Sequence, residues 1–246
     1  MSNTPLDGRK VLVVGRGSGI ARAVALAARA AGAEVVVVGR DAEVLAKAYD
    51  RADAKLGDHG ITAERVDLTD EGSIAALGER LGNLDHVVST ASARARGTVH
   101  DLAPETVQLS FATKVIGPLL LAKHLAPRMP ADGSFVFFSG ATARKPSVGM
   151  LAVSATNGAV DALARGLAVE LAPIRVNSVS PGTIDTGAYD ALGEEKKAAL
   201  FAQRAQTNPA RRIGTAEDAA EAVLFALTAT FLTGATVPVD GGEPLV

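Results

Sequence analysis

Short runs of valine and other strand formers recur along this chain, separated by alanine-rich stretches of helical length, and no other feature restricts the fold as much. The runs are KVLVV (10 to 14), EVVVVG (34 to 39), ITAERVD (61 to 67), LDHVVS (84 to 89), SFVFFS (134 to 139), IRVNSVS (174 to 180) and ATVPVD (235 to 240). A strand with one wet face alternates apolar and polar residues, whereas VVVV must bury both faces, which implies a parallel sheet sandwiched between helices. Helices fit between the runs at 19 to 32, 41 to 57, 70 to 81, 101 to 129, 151 to 172 and 215 to 228. Asp41, Asp70 and Thr215 each precede a helical run and suit N-caps. No repeat or long linker divides the chain. It reads as a single α/β domain over 1 to 246, a Rossmann-type doubly wound parallel sheet of about seven strands with helices on both faces.

Composition excludes several functions. A net charge of −2 over 246 residues argues against a nucleic-acid partner. With no cysteine, disulfides and thiolate metal sites are impossible, and four scattered histidines give no reason to expect a metal. His59, His86 and His124 read as structural or exposed; His100 alone is placed near a site. MSNTPLDGRK has no apolar core of signal length, and the later apolar runs are broken by charge short of a membrane span. A cytoplasmic protein without a membrane partner is expected.

The first strand runs directly into VGRGSGIA, so Gly15, Arg16, Gly17, Ser18, Gly19 and Ile20 lie between a strand and the start of a helix. Glycines there let the backbone approach a pyrophosphate, and the free N–H groups of the helix start favour its charge. The second strand ends at Gly39-Arg40. A carboxylate at that place would suit the ribose hydroxyls of NAD(H); arginine instead pairs with a 2′-phosphate, and Arg16 adds a second cation. NADP(H) is therefore the expected cofactor. Asp67, in VDLTD with Leu68, either accepts from the adenine amino group or caps the next turn.

On these pieces, together with Pro181-Gly182-x-x-x-Thr186 and the closing Val239-Asp240-Gly241-Gly242, the chain resembles the short-chain dehydrogenase/reductase family over almost its whole length. The resemblance implies that Pro181 and Gly182 pass beside the nicotinamide, that Ile184 contacts the carboxamide, that Thr186 contacts a phosphate or the amide, and that Thr90 and Ala91 border the cofactor. It also implies a homodimer or homotetramer built through helices 101 to 129 and 151 to 172, and a lid at about 185 to 212. Asp240-Gly241-Gly242 reads as a structural turn near a subunit contact.

The departures from the family pattern are equally specific. Alignment of GSFVFFSGATARKPSVGMLAVSATNGAV puts Gly140 at the catalytic serine, Val153 at the tyrosine and Asn157 at the lysine. Lys114 stands where an asparagine is expected, three residues before Gly117-Pro118; Ser89-Thr90-Ala91-Ser92 replaces Asn-Asn-Ala-Gly, and Ala21 replaces the last loop glycine. Hydride delivery to a carbonyl creates alkoxide charge that an acid must neutralise, and valine cannot donate a proton. Two substitutes arise. Lys114, desolvated in a pocket, can fall toward neutral pKa and act as acid or anion clamp, unless it is a surface or interface lysine. Ser139 adjoins the lost serine, unless strand alternation turns it away. Thr142, Ser92 and Ser154 are nearby hydroxyls of the kind that satisfy backbone groups. Of the two tyrosines, Tyr49 should be remote, and Tyr189 lies on the lid either as a packing residue or within reach of a ligand.

Arg94, Arg96 and His100 after the fourth strand, and Arg144 and Lys145 after the fifth, fall at the carboxyl edge of the sheet, where doubly wound folds bind ligands. If they face the cleft, they favour an anionic small-molecule substrate or simply the cofactor phosphates. The reading is an NADP(H)-dependent oxidoreductase with a non-standard proton donor. The alternatives are a catalytically silent NADP(H)-binding sensor or regulatory subunit, and a structural subunit of a family oligomer.

Overall fold

The computed structural model describes residues 4–53, 61–187 and 189–246. The strands are β1 (Lys10–Val14), β2 (Glu34–Gly39), β3 (Thr62–Arg65), β4 (His86–Ser89), β5 (Ser134–Phe138), β6 (Arg175–Pro181) and β7 (Thr236–Val239). They form one parallel sheet in the order β3-β2-β1-β4-β5-β6-β7. The chain reverses direction across the sheet between β1 and β4, so a crevice opens there at the carboxyl edge.

The helices are α1 (Gly19–Ala30), α2 (Ala42–Asp53), α3 (Glu71–Leu81), α4 (Pro104–Phe111), α5 (Gly117–Leu125), α6 (Leu151–Glu170), α7 (Glu194–Thr207) and α8 (Ala216–Thr228). Alternate residues of β1 show why valine runs without alternation: Val11 and Val13 join one core with α1 and α8, while Leu12 and Val14 join another with α3, α5 and α6. All four are at most 1% exposed. Fully burying each such side chain stabilises the fold by roughly 1.5–3 kcal/mol.

The expected caps are present. Asp41 accepts from Val44 N at 3.0 Å and Asp70 from Gly72 N at 2.9 Å, and Thr215 forms a capping box with Asp218. The last residues of the helix expected at 41 to 57, and His59, lie outside the described residues.

Two expectations about helices are corrected. The stretch 101 to 129 is not one α-helix: α4 and α5 are joined by a π-helical turn, Ala112–Ile116, and a 3-10 turn follows at Ala126–Arg128. Pro118 has no N–H to give the carbonyl of residue 114 and its ring crowds that carbonyl, so the preceding turn widens, with Gly117 N donating to Ala112 O five residues back. Lys114 lies in this widened turn. The second correction is α7, a helix of 14 residues inside the lid expected at 185 to 212, a stretch with no helix among those expected.

Candidate active site

The glycine loop is packed from both sides. Gly15 N donates to Val38 O at 3.0 Å, and a Cβ on Gly15 would fall 2.3 Å from Thr90 Oγ1 and 2.8 Å from Ala21 Cβ. Thr90 is fixed by its own N–H and hydroxyl, both donated to Val14 O. Gly19 has φ +56, and its missing Cβ would lie 3.0 Å from Thr186, so the start of α1 and the segment after β6 touch. Ser18 caps α1 without a side-chain hydrogen bond, which leaves the first N–H groups of the helix open. Tyr49, expected to be remote from the reacting end, is buried beneath Gly17 of this loop, and burial pushes its phenol up to about 12.

Arg16 and Arg40 are exposed and have no hydrogen-bond or ion-pair partner among the described residues. Asp67 Oδ1 accepts from Thr69 N at 2.9 Å and from Thr69 Oγ1 at 2.7 Å; these bonds, helped by the charges of Arg40 and Arg65, hold the carboxyl below its usual range. It caps its turn, then, and stands beside Arg40 as well. Leu68 is buried next to Gly117.

After β6 the backbone is pinned residue by residue. Gly182 N donates to Val239 O at 3.0 Å, Gly214 N to Thr183 O at 3.1 Å, and Asp185 N to Gly214 O at 3.0 Å. Ile184 bridges Gly214 in parallel, so its own N–H and C=O face the other way; neither has a partner among the described residues, although Ile184 is only 5% exposed. A buried peptide with both groups open matches the two-sided hydrogen bonding of a carboxamide. The Thr186 hydroxyl beside Gly19 is also unpartnered among the described residues. These open donors and acceptors and the close-packed glycine loop fit a nicotinamide dinucleotide, with Arg16 and Arg40, unpartnered among the described residues, open beside it.

The reacting end is repacked. Val153 and Asn157 are buried one helical turn apart on α6. Asn157 Nδ2 donates to Thr142 Oγ1 at 2.7 Å and occupies the space beside Gly140. Ser139 is turned away, as alternation allows: its hydroxyl donates to Asn157 O at 3.0 Å, its N–H to Val179 O at 2.9 Å, and its proton is committed to α6. Lys114 is buried, and Nζ donates to Ser139 O at 3.2 Å. Desolvation, reinforced by the charge of Arg94 and opposed by Asp161, brings its ammonium down to about 7. Asp161 is itself engaged by the hydroxyls of Ser178 and Thr236.

The expected cations divide into two groups. Arg94 remains exposed at the rim, while the cleft wall on its inner side desolvates it; Arg96 and Arg16 push its pKa further down, and the phenol of Tyr189 opposes them. Arg94 is thus within electrostatic reach of both Arg16 and Lys114. Tyr189 packs edge-on against Phe201 of α7, with ring centroids 5.3 Å apart, and so combines lid packing with proximity to Arg94. Arg144 and Lys145 are corrected. Arg144 pairs with Asp240 at 2.5 Å and Lys145 donates to the backbone oxygens of Glu243 and Val246, so neither is free for a ligand. His86 sits at the opposite edge of the sheet against Ser134, pushed down to about 4 by burial, and His124 binds Glu71. Among the described residues no group of His, Asp and Glu could hold a metal ion, and no helix is long and apolar enough to cross a membrane.

Sequence reasoning missed Glu243. Its carboxylate accepts from Thr183 N, Thr183 Oγ1 and Arg204, and nothing in the local string EPLV signals that role.

Known proteins with the same pattern are numerous. The family model described as enoyl-(acyl carrier protein) reductase matches residues 14–243. The chain is 34% identical to the short-chain dehydrogenase/reductase ATR9 of Stachybotrys chlorohalonatus, over 96% of this chain and 97% of that one. Among solved structures, the MalC reductase/Diels-Alderase of Malbranchea aurantiaca superposes with a TM-score of 0.91 at 30% identity, covering 100% of both chains. A small-chain dehydrogenase solved in complex with NADPH matches with a TM-score of 0.80 at 30% identity, over 98% of this chain and 100% of that one.

Proposed function

The chain belongs to the short-chain dehydrogenase/reductase family, and we propose that it is an NADP(H)-dependent oxidoreductase in which Lys114 supplies the proton that a phenol would otherwise provide. One observation carries this reading: a lysine buried at the carboxyl edge of β5, bonded among the described residues only to the carbonyl oxygen of Ser139, in a turn that packs on the helix where Val153 offers no proton. When bound, NADPH supplies the hydride.

The chain's own residues do the rest. Gly15, Gly17, Ser18, Gly19 and Ile20 would hold the pyrophosphate at the start of α1, with Arg16 and Arg40 on the 2′-phosphate. Asp67 and Leu68 would border the adenine, and Thr90 and Ala91 the middle of the cofactor. Pro181, Gly182, Ile184 and Thr186 would hold the nicotinamide side. As oxyanion charge develops on the substrate, Lys114 stabilises it and gives up a proton from Nζ. With a pKa of about 7 it is divided between its two forms at neutral pH, the condition for effective acid catalysis. Ser139, its proton already engaged, acts here only through its carbonyl as the anchor of Lys114.

Arg94 and Arg96 favour an anionic small-molecule substrate. The exposed side chains of Leu109, Ile116 and Leu119 on α4 and α5 with the turn between them, and of Leu151 on α6, support assembly as a homodimer or homotetramer through 101 to 129 and 151 to 172.

Cofactor choice is tested by the nucleotide's own fluorescence. NADPH is expected to bind at least ~10-fold more tightly than NADH, about 1.4 kcal/mol, and Arg40→Asp is expected to abolish the preference. Equal affinities in the unaltered protein would remove Arg40 from the phosphate site.

A further inference from the structure

The carboxylate of Glu243 joins two parts of the molecule that are far apart in sequence. Oε2 accepts from Thr183 N at 2.8 Å and from Thr183 Oγ1 at 3.0 Å, while Oε1 accepts from Arg204 of α7 at 3.0 Å. The bond to Thr183 N falls where it is needed. The β6–β7 ladder ends at the bond from Gly182 N to Val239 O, so the next N–H has no strand partner, and Thr183 is buried. One residue further on is Ile184, with its open peptide groups. On the other arm, Arg204 lies in the last turn of α7, a helix with no fully buried residue and hence little packing of its own.

The segment carrying Glu243 is fixed in turn. Asp240 pairs with Arg144, Lys145 donates to Glu243 O, and Gly241 (φ +61) and Gly242 (φ +79) supply a turn that side-chain-bearing residues rarely adopt. A Cβ on Gly241 would fall 2.6 Å from the Asn208 amide at the end of α7.

We propose that Glu243 is a positioning residue: its carboxylate sets the peptide at 183–184 on one side and holds helix α7 on the other, so one side chain supports two separate parts of the cleft. The helix arm stands on the hydrogen bonds of Glu243 alone, and only the binding arm rests on the NADP(H) reading above.

Hydrogen exchange on the apo protein, paired with NADPH titration, separates the arms. Glu243→Ala is expected to speed amide exchange at 183–186 and across 194–207, each by about tenfold or more, and to weaken NADPH about tenfold. Arg204→Met is expected to speed exchange in 194–207 only, with NADPH affinity within about twofold of wild type. Glu243→Gln keeps an acceptor for Thr183 and loses the charge facing Arg204, so it should behave as Arg204→Met does. A purely structural glutamate predicts instead a uniform rise in exchange through the sheet in all three variants, and that result overturns the proposal, as does unchanged exchange at both places in Glu243→Ala. If Glu243→Ala does not fold, the contrast of Arg204→Met and Glu243→Gln against wild type decides. If wild type itself binds no NADPH, the cofactor reading fails while the exchange pattern still tests the link to α7.

Discussion

Lys114→Met is expected to lower turnover by about 10²–10⁴-fold and, unusually for a core substitution, to make the protein more stable at neutral pH. Both effects arise from the desolvation that brings Lys114 to about 7. A lysine whose folded pKa lies below its ordinary 10.5 opposes folding while the unfolded chain still carries the proton. That cost is fully present below about 7, fades between about 7 and 10.5, and is absent above. At 1.36 kcal/mol per pH unit it amounts to something on the order of 5 kcal/mol. Methionine fills similar space without charge, but leaves Ser139 O without its donor, which costs roughly 1–3 kcal/mol. A net gain of a few kcal/mol should remain at pH 7, shrinking toward pH 10. Urea unfolding of both proteins from pH 6 to 10 measures it; parallel curves across that range would mean that Lys114 is not buried as a charge.

The activity half of the prediction has its own pH signature. Reduction needs the ammonium form, so its rate should fall as pH rises through about 7, and oxidation, which needs the free amine, should rise over the same window. A panel of carbonyl, imine and enone substrates supplies the assay. Turnover by Lys114→Met at the wild-type rate would assign the proton to another source, and no turnover by wild type on any of them would favour the sensor reading.

What the sequence made legible, and what it did not, follows from the range of the interactions involved. The valine runs announced their strands because burial on both faces removes the alternation, and each strand lies within two residues of the run that predicted it. The glycine loop was legible because its requirement is local: strand, tight turn and helix start are adjacent in sequence. Arg94 and Arg144 looked alike, each a basic residue following a strand, yet Arg144 is tied up by Asp240, 96 residues away. No local reading separates them. Helix α7 escaped notice because it buries no residue fully and so shows only a faint apolar stripe, although Glu194 and Glu195 in its first turn and Arg204 in its last match the helix dipole and could have revealed it. The π turn was foreshadowed by Gly117-Pro118, but its effect, turning Lys114 inward against β5, needed the packing of α5 on Leu68 to become visible.

Gly140→Ser, which restores one member of the family's usual set, is expected to destabilise the protein by about 1–3 kcal/mol, and Asn157→Ala is expected to relieve most of that loss. Conformation is not the obstacle: Gly140 has φ 167 and ψ 155, extended backbone open to any residue. Space is. A Cβ at position 140 would lie 2.7 Å from Asn157 Nδ2 and 3.3 Å from its Cγ. The amide cannot swing aside freely, because Nδ2 is held by Thr142 Oγ1 at 2.7 Å, and its Oδ1 is already buried without a partner among the described residues. Breaking the one bond it has would leave the whole amide unsatisfied. Truncating Asn157 removes both the clash and the stranded oxygen, so the two substitutions should couple by ~1–2 kcal/mol in a double-mutant cycle read by chemical unfolding. Additive losses would show that the serine is accommodated elsewhere. Coupling of that size means that glycine at 140 and asparagine at 157 are two halves of one packing solution. The serine and lysine of the usual set would then be recoverable only together, and Lys114 would be the group around which this cleft is built.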